Sequence, residues 1–117
     1  ARFIVQDSKK SDRKKGREFD LDVSFVEDQI SRGCFYCEDT SSRMTLDRID
    51  NEKGHTKDNV NPCCYRCNLI RGDMPYAAWM QIVPAVKLAR LSGAFGDWNT
   101  KPFRARSSTE QSGSLLN

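Results

Sequence analysis

The sequence predicts a small α+β domain stapled by a metal ion. Three observations point there. Two Cys-x-x-Cys pairs, Cys34/Cys37 and Cys64/Cys67, bracket a polar loop. Short runs of strand character flank that loop, at residues 44–49 and 59–62, and a helical pattern follows the second pair. With 117 residues, 38% hydrophobic and 30% charged, the chain forms one domain whose core needs such a staple.

The elements follow in order. Residues 1–17 hold a short apolar patch, Phe3, Ile4 and Val5, and are otherwise polar and basic; they read as an arm or a frayed helix. Residues 19–23 alternate weakly. Ser24 and Glu27 form a capping box that opens a short helix, with Phe25, Val26 and Ile30 on its apolar side and Gly33 as its stop. The first cysteine pair and a polar turn over 38–43 lead into the first strand. The loop over 50–58 turns at Gly54 and returns through the second strand. A helix begins near Cys64 and runs to about Arg71, where Arg-Gly-Asp-Met-Pro breaks it. Pro75 suits the first turn of a further helix. In it, Tyr76, Trp79, Met80, Val83 and Val86 fall at helical spacing and read as core, a more ordinary use than base stacking. Pro84 should kink or divide this helix, and Gly93 should stop it. From residue 107 the composition is that of a disordered tail. The divisions are thus a basic arm at 1–17, a core at 18–73, a helical extension at 74–106 and a tail at 107–117.

A turn of Cys-x-x-Cys spacing points two thiolates at one ion, and two such turns complete a closed tetrahedral site. Cys34, Cys37, Cys64 and Cys67 therefore predict structural Zn²⁺, which stabilises the fold and leaves no open position for chemistry. Disulfides are the plainer use of cysteine. Five cysteines make an odd count, and no apolar leader opens the sequence, which argues for a reducing compartment, cytoplasmic or nuclear. Cys63 is the spare, read as a small buried apolar residue.

The net charge of +3 is uneven. Lys9, Lys10, Arg13, Lys14, Lys15 and Arg17 surround a single anion, and Lys101, Arg104 and Arg106 form a second cluster. A run of cations is ordinarily a solvated face. Its other use is as a phosphate-binding surface, which would make nucleic acid a partner. No stretch is apolar enough to predict a membrane span; the longest apolar pattern, at 76–91, is amphipathic.

Five pieces within residues 19–73, namely Cys-Phe-Tyr-Cys, LDRIDN, GHT, DNV and CCYRCN, together resemble the HNH endonuclease family. Its ββα-metal, treble-clef-like core has this order, here with flanking helices. The resemblance implies a metal-dependent endonuclease hydrolysing DNA phosphodiesters. The alternative is a non-catalytic zinc module that binds nucleic acid or a partner protein. One active site per chain cuts one strand per engagement, unless the chain dimerises or belongs to a larger assembly.

Phosphodiester hydrolysis needs a cation at the scissile phosphate, a base for water and positive charge on the leaving oxygen. The family pattern places metal ligands at Asp47 and Asn68, one anionic and one neutral oxygen donor, which suits Mg²⁺ or Mn²⁺. Out of that context they would read as a surface ion pair and a helix cap. Most members carry Asp-His at the strand end, where the histidine is the base. This chain has Asp47-Arg48, and arginine stays protonated, so Arg48 suits a phosphate clamp. His55, the chain's single histidine, is then the candidate base. Asn59 matches the middle asparagine and would brace the loop through backbone groups. Asp50 would pair with Arg48 or with a loop lysine.

Overall fold

The computed structural model of the protein describes residues 1–96. Six elements follow one another: α1 (Arg2–Lys15), α2 (Val23–Ser31), β1 (Met44–Arg48), β2 (Val60–Cys64), α3 (Tyr65–Arg71) and α4 (Tyr76–Leu91). The strands form a two-stranded antiparallel sheet in which Met44 faces Cys64 and Arg48 faces Val60. The strand, loop, strand, helix order is the one expected from the sequence. Residues 97–117, with the cluster Lys101, Arg104, Arg106 and the tail expected from 107, lie outside the described residues.

Two cores share this sheet. Leu21, Val26, Leu46 and Val60 form one, against which Ala1, Ile4, Val5, Phe19, Phe25 and Ile30 pack. Cys34, Cys37, Cys63, Cys64, Cys67, Tyr36, Trp79 and Val86 form the other. Trp79 is wholly buried and meets the Tyr36 ring edge-on at 5.3 Å between centroids. Cys63 is likewise buried, as a small apolar filler.

Residues 2–15 are neither an arm nor frayed. Ile4 and Val5 dock α1 on the first core, Ser8 and Asp12 are buried, and Gly16 closes the helix in the left-handed region at φ 69°. Exposed Phe3 lies off that face. The second helix is capped by Asp22, not Ser24: the Asp22 carboxylate accepts from the Phe25 N–H at 2.8 Å, and Ser24 falls inside the first turn. Residues 19–23 form no strand; their buried member, Leu21, serves the core between two helices.

In α4, which runs unbroken from Tyr76 to Leu91, Pro84 does not divide the helix and lies on its exposed side. The buried stripe runs through Trp79 and Val86, with Tyr76 and Val83 half-buried beside it. Met80 is off that stripe and 38% exposed, so it is not core. The helix clamps the first cysteine turn: Arg90 donates to the Cys37 carbonyl at 3.0 Å, and Lys87 pairs with Glu38 at 2.7 Å.

Candidate active site

The cysteine centre is assembled by the two turns. Cys34, Cys37, Cys64 and Cys67 are buried and their sulfurs lie within 4.8 Å of one another. In each turn the second cysteine's N–H points at the first one's sulfur, at 3.5 Å for Cys37 to Cys34 and 3.4 Å for Cys67 to Cys64. Cys37 and Cys64 Sγ are 3.8 Å apart. A tetrahedron with Zn–S bonds of about 2.3 Å has edges of about 3.8 Å, so the sulfurs stand where zinc ligands would. The crowded thiols shift one another in opposite directions, Cys34 down through Cys37 and its other neighbours and Cys67 up through Cys34, so all four become thiolates only with a cation among them. The residues fit structural zinc.

The candidate ligands Asp47 and Asn68 lie on facing surfaces of β1 and α3. Thr45 and Asp47, two apart on the strand, both look toward the helix. Asn68 Nδ2 donates to Thr45 Oγ1 at 2.9 Å, and Arg71, one turn on, reaches Asp47. Asp47 is buried, and its two oxygens accept from Arg71 Nη1 at 2.9 and 2.8 Å, with Tyr36 Oη donating at 2.6 Å. Burial pushes the Asp47 carboxyl above its ordinary value, while Tyr36 and Arg71 pull it down. Burial and the Asp47 carboxylate also push the Tyr36 phenol up, so it stays a neutral donor.

Arg71 was legible in the sequence only as the end of a helix. In the fold it joins α3 to the far end of β1, donating to the carbonyls of Arg48, Ile49 (3.0 Å) and Met74 (3.1 Å) besides Asp47. The oxygen donors of Asp47 and Asn68 suit a hard cation. Arg71 is the cation that Asp47 already holds; Oδ2 accepts from both Tyr36 and Arg71, so Oδ1 alone retains a second lone pair.

His55 and Asn68 line one cleft of about 350 Å³, with Thr45 and Leu46 from β1 and Asp7 and Ser11 from α1. Asp47 is not among its lining residues. Gly54, before His55, is buried, and the Glu18 carbonyl occupies the space a Cβ would need, 1.8 Å from it. Asn59 braces the same loop: its Oδ1 accepts from the Asp50 N–H at 2.9 Å, and its Nδ2 donates to the carbonyls of Asp50 at 3.1 Å and Gly54 at 2.9 Å. Arg48 also faces the loop, its Nη1 donating to the carbonyls of Asn51 at 2.7 Å and Lys53 at 2.9 Å. The Asp50 carboxylate accepts from the Glu52 N–H at 2.9 Å.

One site residue escaped the sequence reading. Asp12, the lone anion in the basic run, is wholly buried under His55. Its Oδ2 accepts from the His55 backbone N–H at 2.8 Å and lies 3.0 Å from the ring Nδ1. Arg17 Nε stands 3.3 Å from the other oxygen. Burial holds the His55 pKa below its ordinary value, Asp12 works to raise it, and Arg48 and Arg17 lower it. The remaining candidate phosphate contacts, Lys9, Lys10, Arg13, Lys14 and Lys15, are exposed along α1, whereas Arg17 is turned inward.

Neither a protein-family model nor a curated protein sequence matches the chain. Among solved structures it is similar to the rare-cutting HNH restriction endonuclease PacI, at 17% identity and a TM-score of 0.64, over 79% of this chain and 80% of that one. That match covers a larger share of the chain than the stretch 19–73 in which the sequence pieces lie. With the four-cysteine cluster, it gives this chain the ββα-metal fold of the HNH endonucleases.

Proposed function

We propose that the protein is a metal-dependent endonuclease that hydrolyses phosphodiester bonds in DNA. The observation that carries this reading is the His55 cleft: an imidazole held by a buried carboxylate, opening beside Asn68 on a ββα-metal fold. In this reading His55 accepts the proton of the attacking water. A value depressed by burial keeps the imidazole neutral and able to act as a base near pH 7. Arg48, permanently cationic, fixes the loop through its carbonyls and adds positive charge where the leaving oxygen develops negative charge. Asp47 and Asn68 would hold Mg²⁺ or Mn²⁺, which would supply neutralisation of the scissile phosphate. Cys34, Cys37, Cys64 and Cys67 would hold Zn²⁺ and take no part in the reaction. The lysines along α1, with Arg13, would meet the DNA backbone.

A second reading, a non-catalytic zinc module binding nucleic acid, has one observation in its favour: the Asp47 carboxylate is already paired with Arg71 and Tyr36. Plasmid nicking separates the two. The nuclease reading expects cleavage with Mg²⁺ or Mn²⁺ and none in EDTA. It also expects His55→Ala to cleave about 10² to 10⁴-fold more slowly, the ordinary worth of a general base, while binding DNA as before. Wild-type protein that retains zinc and binds DNA without cutting it under either metal would leave the binding module standing.

A further inference from the structure

We propose that Asp12 is the positioning residue of His55, so that α1 belongs to the catalytic apparatus as well as to the DNA-binding surface. The catalytic half of this rests on the nuclease reading above; the positioning half does not. Asp12 lies 43 positions before His55 and is wholly buried. A single oxygen, Oδ2, receives both the backbone N–H and the ring Nδ1 of that residue. The first contact fixes where the loop lies. The second fixes which way the ring faces and which nitrogen carries the proton. A carboxylate only accepts, so Nδ1 must be the N–H and Nε2 keeps its lone pair.

That division is what a base needs. The proton of the attacking water passes to Nε2, and the imidazolium so formed keeps Nδ1–H on Asp12, whose negative charge stabilises it. A backbone contact alone would staple α1 to the loop without choosing a tautomer. The charges acting on the ring are Asp12 from α1, Arg17 from the turn after it and Arg48 from the end of β1, while Asp7 of α1 and Arg43 before β1 share the lining of the cleft. Asp12 is the anion in direct contact, so its loss leaves the imidazolium facing two arginines.

The test uses zinc-loaded full-length protein. The chain has one histidine, so its imidazole gives one set of NMR signals. Nitrogen-15 shifts of wild type should show the Nδ1–H tautomer at neutral pH; an Nε2–H ring would overturn the assignment without any mutation. Asp12→Asn should lower the His55 midpoint by about one unit and cleavage between about 10- and 10⁴-fold. The acid limb of the rate profile should move down in pH by the same amount as the NMR midpoint. A slower variant whose midpoint and profile are unchanged would reduce Asp12 to a structural staple and sink the proposal. If His55→Ala cleaves like wild type, the base assignment fails on its own, and the tautomer measurement still decides what Asp12 does to the ring.

Discussion

The cysteine centre and the His55 cleft adjoin the same two-stranded sheet but are built differently. The centre takes its ligands from two turns, each supplying cysteines three positions apart, and encloses them completely. The cleft takes its walls from α1, β1, the loop after β1 and α3, and keeps an open side. Closure suits a metal that holds a fold; an open wall of mixed polar groups suits chemistry on something that must enter. The difference teaches where each half should be sensitive. The centre should fail as a unit, the cleft residue by residue.

The largest effect expected is therefore at the centre. Cys37→Ser should leave a chain that binds no zinc and does not fold, since closed four-ligand sites contribute on the order of 10 kcal/mol or more. Trp79 reports this directly, because it is buried against Tyr36 beside the sulfurs. Its fluorescence should shift to that of an exposed indole. A cooperative melt at the wild-type temperature in a zinc-free variant would break the contrast at its root.

Next is Arg71, the seam between the two halves. It lies 2% exposed with Asp47 at 5%, so Arg71→Ala would strand a carboxylate in the interior. Removing one partner of such a pair costs about 3–5 kcal/mol, readable as a lower urea midpoint. Replacing both, as Arg71→Met with Asp47→Leu, should recover much of that loss. If the single and double changes destabilise equally, the pair is not what joins α3 to β1.

How much of this was legible depended on sequence distance. The cysteine turns and Asn59 declare themselves because each acts within ten residues of its own position, whereas the Glu18 carbonyl that requires a glycine at 54 stands 36 positions away. The Asp22 cap was misassigned to Ser24 because both offer a capping oxygen two positions apart, and only the backbone decides where the helix starts. Residues 1–17 read as an arm because their docking face is thin: Ile4 and Val5 are apolar, but Ser8 and Asp12, the buried pair, are polar. No local signal marks Asp12, whose partner His55 stands 43 positions away, or Arg71, whose partner Asp47 stands 24 away. Met80 read as core because its spacing from Tyr76 is helical; a helix has several such rows, and the one through Trp79 and Val86 was the one covered.

Gly54 tests how the cleft tolerates change in the loop that carries His55. A Cβ there would meet the Glu18 carbonyl at 1.8 Å, and a backbone atom cannot swing aside as a side chain can. Gly54→Ala should cost about 1–3 kcal/mol, the ordinary range for overpacking, and displace His55 from Asp12. The zinc content should stay at one ion per chain. Loss of zinc together with the loop would mean that the halves are not separable after all.

The smallest effect on stability, and the sharpest on binding, belongs to the outer face of α1. Lys9, Lys10 and Lys14 are exposed, on the helix whose buried residues are Ser8 and Asp12. Changing all three to glutamine should leave the melting transition nearly in place, since exposed substitutions usually move stability by less than about 0.5 kcal/mol each. The salt dependence of DNA binding should fall more clearly, by about 0.9 in the log–log slope for every phosphate contact removed. His55 should keep its tautomer, because Asp12 holds it from the buried side of the helix. This separates the two duties of α1. A slope that does not change would make these lysines a solvated face and move the DNA contact elsewhere. A slope that falls together with the His55 midpoint would mean that the outer and inner faces of the helix are coupled, and that phosphate binding reaches the base through α1.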